Sequence, residues 1–87
     1  MDELLKSYRD EMNEIDEQII ELLDERFDLS WEIGGYKKEH SIPVTDQKTE
    51  NSKLAFIDKI ASEENAENIK AVYRKIFEES KKIQNNI

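Results

Sequence analysis

The sequence predicts an all-α fold, one long helix followed by two shorter ones, and three observations carry that reading. The 87 residues include two glycines and one proline, so little interrupts helix. Glu, Lys, Leu, Ile, Gln and Ala dominate, a composition that favours helix nearly everywhere. Apolar residues recur at steps of three and four, which is the period of a helix with one buried face.

The first helix is expected from Glu3, with Leu4, Tyr8, Met12, Ile15, Ile19, Leu22, Leu23, Leu29, Ile33 and Tyr36 along its apolar stripe. Asp2 and Glu3 suit its positive end, Lys37 and Lys38 its negative end. Gly34 and Gly35 each cost about 1 kcal/mol against Ala in a helix. Tyr36 and Lys37 nevertheless keep the phase of the stripe, so the helix is expected to continue to about Glu39. Ser41-Ile42-Pro43 breaks it, because proline disfavours helix in the residue before it. Asp46 is the expected N-cap of a second helix, Gln47 to Ser62, buried through Leu54, Ile57 and Ile60. Glu63-Glu64-Asn65 reads as a turn. A third helix follows from about Ala66, with Ile69, Val72, Tyr73, Ile76, Phe77, Ser80, Ile83 and Gln84 on one side.

Residues 1–87 are enough for one domain and not two. With 37% hydrophobic residues, 39% charged and no cysteine, a single core is marginal, and oligomerisation is the remaining source of buried area. The long helix would measure about 57 Å. A compact globule of this size has a radius of gyration of about 12 Å, so a second copy is expected along the helix in an intertwined homodimer. The formal charge of −8 argues against nucleic acid as a partner and against long-range attraction of an anion; any anion site must be local. No apolar run approaches a membrane span, and the N-terminal residues lack the pattern of a signal peptide. Lack of cysteine fits a reducing compartment, and a cytoplasmic location is expected.

One His and no Cys leave no metal-ligand spacing, and there is no glycine-rich phosphate loop. The single His40 sits in a polar stretch and reads as a solvated residue. Arg26 and Lys37 stand out instead. Their spacing is 11 residues, which puts both on one helix face, about 16 Å apart, with room between them for a small molecule. As ordinary surface cations they would pair with Asp24, Glu25 or Glu32. Arg9 lies about 25 Å further back and about 100° round the helix, so it cannot reach that pocket within one protomer. An antiparallel partner helix could bring it there. Ser80 and Gln84 form an i, i+4 pair in phase with Tyr73 and Phe77, and polar groups on an apolar stripe need partners: backbone, water or a ligand. Asp46 and Glu50 suit the positive end of the second helix without further function.

The ordered set Arg9, Asp16, Arg26; then Ile33-Gly34 and Lys37; then Ile42-Pro43-Val44, Asp46 and Glu50; and finally Glu79-Ser80 and Gln84 resembles the all-α chorismate mutases, the AroQ class, over about Leu4 to Gln84. The resemblance implies an intertwined homodimer with two equivalent sites and chorismate as substrate. It implies that Arg26 and the partner's Arg9 bind the substrate carboxylates, and that Lys37 and Gln84 donate to the ether oxygen. Glu50 and Asp46 would hold the ring hydroxyl, Ser80 would contact the ring carboxylate side, and Ile33 would form apolar wall. No metal or other cofactor is implied. The family usually carries an arginine where this chain has Thr49, with Lys48 and Lys53 the cations nearby. An isochorismate pyruvate lyase, and a weakly active or inactive helical dimer that binds another aromatic-pathway enzyme, are the alternatives to the mutase.

Overall fold

The first helix, α1 (Glu3–Glu39), begins at Asp2, whose Oδ1 accepts from the Leu5 N–H at 3.1 Å. In this computed structural model, which describes residues 2–87, α1 is followed by α2 (Gln47–Ile60) and α3 (Ala66–Asn85). There is no strand among the described residues. Gly34 and Gly35 do not stop α1. It ends instead in a backbone cap: Ile42 N–H donates to Lys37 O at 2.9 Å and Ser41 N–H to Lys38 O at 3.4 Å. That double closure needs a left-handed residue, and Ser41 supplies it at φ 54°.

Asp46 caps α2 with both carboxylate oxygens. Oδ1 accepts from the Thr49 N–H at 3.0 Å and Oδ2 from the Thr49 hydroxyl at 2.7 Å. α2 ends two residues before the expected Ser62, because the backbone turns extended at Ala61 (ψ 153°), and the Ser62 carbonyl then accepts from Asn65 and Ala66 N–H in the turn into α3. Two expected core positions are corrected. Ile60 is 68% exposed and Val72 59%. On α2 the buried face steps by four from Ile57 to half-buried Ala61, passing over Ile60. On α3, Val72 stands about 100° round from Tyr73, off the face that turns inward.

α3 packs on both other helices, while α1 and α2 do not pack on each other. The buried residues lie along α3 and what faces it: Ala66, Phe77 and Ser80 on α3, Ile57 on α2, Ser30 and Gly34 on α1. Gly34 is required by that approach, since a Cβ there would stand 2.9 Å from Gln84 Cα and would strike Ile87 Cδ1. Two ion pairs tie α2 to α3: Lys70 to Asp58 at 3.0 Å and Lys81 to Glu50 at 3.1 Å. The longest extent is 57 Å and the radius of gyration 16.5 Å, well above a compact chain of this length. No described helix is long and apolar enough to cross a membrane.

Candidate active site

Because α1 and α2 both lean on α3 without meeting, a cleft of about 430 Å³ opens between them. α1 contributes Arg26, Ile33 and Lys37 to its lining. Glu50 and the cap residue Asp46 line it from α2, and Ser80 and Gln84 from α3. Seven of the eight residues singled out from the sequence therefore converge on one cleft. Arg9 does not: it stands exposed on the first half of α1, outside this lining.

Arg26 and Lys37 have none of the ordinary carboxylate partners. Among the described residues neither makes an ion pair, and both are half-buried. The Arg26 guanidinium lies 5.8 Å from the Tyr73 ring centroid, a cation–π contact that fixes it without neutralising it. Lys37 Nζ donates to Val44 O at 2.9 Å, which draws the Ile42–Val44 segment against α1 and leaves further N–H donors. Unpaired cations this close to apolar surface favour an anion that brings its own charge.

Gln84 sits at the end of a hydrogen-bonded chain. Its Nε2 donates to Ser80 Oγ at 3.3 Å, Ser80 and Ser30 share a buried 2.6 Å bond, and the Ser30 hydroxyl donates to Arg26 O at 3.3 Å. Gln84 Oε1 is buried with no partner, which is costly for a carbonyl. The chain also works in reverse. With the amide turned over, Ser30 donates to Ser80, Ser80 donates to Gln84 Oε1, and the NH2 takes the unpartnered side with two donors to offer. The reversal gives up one long hydrogen bond and leaves the NH2, in place of the oxygen, as the group without a partner.

Asp46 has a carboxyl pKa below the ordinary value, chiefly because the Thr49 hydroxyl, and then the Thr49 N–H, bond to its charged form. Both oxygens are thus already engaged. Glu50 is mostly buried and paired with Lys81. Lys53 lines the cleft and lies 5.6 Å from the Phe56 ring centroid, whereas Lys48 is exposed and outside the lining.

Residues 8–85 match the family model described as chorismate mutase type II. The chain belongs to the chorismate mutase type II family. A solved structure of a conserved hypothetical protein from Pyrococcus furiosus is similar throughout: 34% identical, covering 97% of this chain and 99% of that one, with a TM-score of 0.80. No curated protein matches the sequence.

Two lining residues of this chorismate mutase type II chain, Ser30 and Lys81, do not stand out in the sequence by residue type. The signal for both was spacing. Ser30 falls four residues after Arg26 and three before Ile33, on the stripe that ends at Lys37. Lys81 falls four after Phe77 and three before Gln84.

Proposed function

We propose that the chain is a chorismate mutase, rearranging chorismate to prephenate in the cleft between α1, α2 and α3. The observation that carries this reading is the convergence of two unpaired cations, Arg26 and Lys37, with Gln84 in a single cleft of about 430 Å³. Chorismate carries two carboxylates. Fixed cations select the compact conformer in which the reacting carbons meet, which is catalysis by positioning. As the carbon–oxygen bond breaks, negative charge builds on the ether oxygen, and donors already aimed there stabilise the transition state more than the ground state. Lys37 and the Gln84 amide are those donors. Arg26 holds a carboxylate, Glu50 and Asp46 face the ring hydroxyl, Ser80 sets the Gln84 amide and meets the ring carboxylate side, and Ile33 closes the apolar wall. The rearrangement needs no nucleophile, metal or redox cofactor.

The active form is a homodimer in which the partner's Arg9 completes each site. What supports this is the exposed apolar run on α1, where Tyr8, Met12, Ile15 and Ile19 are 48–61% exposed. The accessible surface of 7246 Å² also exceeds by about a third that of a compact chain of this mass.

The test is loss of chorismate absorbance with purified protein, prephenate confirmed as product, and isochorismate assayed beside it. Turnover of chorismate that disappears in Arg26→Ala supports the mutase. Pyruvate release from isochorismate without chorismate turnover replaces it with the lyase.

A further inference from the structure

The α2 and α3 side of the cleft has its own cation: of the two α3 lysines that reach across to α2, Lys70 lies outside the cleft lining and Lys81 is part of it. Lys75 and Lys82 are 62% and 58% exposed and pair with Glu78 and Glu79 within their own helix, as solvated surface charges do. Lys81 is 33% exposed, lines the cleft, and reaches across to α2, where its Nζ lies 3.1 Å from Oε2 of Glu50. Glu50 is 18% exposed, so this pair is screened far less than the surface pairs.

We propose that Lys81, held by Glu50, binds a carboxylate of the substrate. The inference rests on the reading of the cleft as a chorismate site and extends it to a residue with no role there so far. An ammonium has three donors, and Glu50 engages one. The neighbouring α2 residue has nothing to offer: the hydroxyl and the N–H of Thr49 both go to Asp46. Charge within the cleft agrees. Within one protomer Arg26, Lys37, Lys53 and Lys81 stand against Asp46 and Glu50, so the cleft is locally positive on a chain of −8, as an anionic substrate requires. A brace that merely joins α2 to α3 would show the same distance to Glu50, so the test must separate the two roles.

Lys81→Met removes the charge and keeps the stem; Lys81→Gln keeps a donor to Glu50 without the charge and serves where the Met variant does not fold. Steady-state kinetics, calorimetric chorismate binding and thermal unfolding are measured for these, for Lys81→Arg, and for Lys81→Met combined with Thr49→Arg. The expected result is a KM raised on the order of tenfold in Lys81→Met or Lys81→Gln, with kcat changed less and the variants still folded at the assay temperature. KM is retained in Lys81→Arg and partly recovered by the arginine at position 49, which would reach the cleft from beside Glu50. An unchanged KM in a folded charge-free variant overturns the proposal. So does a loss that follows the unfolding midpoint and is recovered by neither arginine. If the wild-type protein binds chorismate without turning it over, the proposed function fails while Lys81 is still read by affinity: weaker binding in the charge-free variants supports it, and equal binding overturns it. Absence of binding in every form overturns both.

Discussion

Gly34 and Gly35 are neighbours with opposite surroundings. A methyl group at Gly34 would press on the backbone of α3 at Gln84, whereas one at Gly35 meets nothing within 4 Å. Gly34→Ala is expected to cost about 1–3 kcal/mol in urea unfolding and to lower activity as well, because the shift carries Gln84 with it. Gly35→Ala is expected to stabilise by about 1 kcal/mol. The donor role of Gln84 has its own signature. A neutral amide needs no proton, so kcat/KM is expected to stay level between roughly pH 5 and 7.5. Gln84→Glu donates only while protonated, so its activity is expected to fall as pH rises through the carboxyl range, near about 4.3 for a free glutamate. At this scale the sequence was legible where a polar side chain interrupts an apolar stripe, as Gln84 and Ser80 do. It was illegible where meaning depends on what lies opposite. Ser30 looks like any helix-surface serine until α3 places Ser80 2.6 Å away, and Lys81 looks like its neighbour Lys82 until α2 presents Glu50.

Helix ends were readable because short-range chemistry sets them. Asp2 and Asp46 bond the N–H groups three residues on, a geometry fixed by local sequence. The last turn of α2 was less so, since nothing in Ala61 itself marks it as the residue where the backbone turns extended. The α2 cap also carries a pH dependence. Its carboxyl pKa is depressed in the folded chain from 3.8. The stabilisation is therefore present above the unfolded value and is lost as pH falls through the folded one. The start of α2 is expected to fray in acid. Thr49→Val, which removes the leading hydrogen bond, is expected to bring the Asp46 pKa back up toward 3.8, as read from its carboxyl carbon in an NMR titration.

At the scale of the whole molecule, the outlier is the first half of α1, which reaches beyond everything α2 and α3 cover. Its periodicity was plain in the sequence, but periodicity names a face and not what lies against it. If a second copy covers that face and lends Arg9, then Arg9→Ala and Arg26→Ala are each expected to be inactive alone. Mixing them after partial unfolding and refolding is expected to restore turnover, because one of the two sites in the mixed dimer receives both arginines. Continued inactivity of the mixture, with mixed dimers shown by mass, would place Arg9 and Arg26 in the same protomer's site.

The gap between α1 and α2 has a consequence for motion. α2 is joined to the remainder by Ile57, its partly buried neighbours and two ion pairs, all directed at α3. It can therefore swing on α3 while the α1–α3 contact stays shut, and its amides are expected to exchange hydrogen for deuterium sooner than those of α3 around Phe77 and Ser80. A small molecule touching Arg26 and Lys37 on one side and Glu50 on the other would act as mortar between two helices that the protein itself leaves apart. Saturation with ligand is then expected to slow exchange in α2 more than in α1.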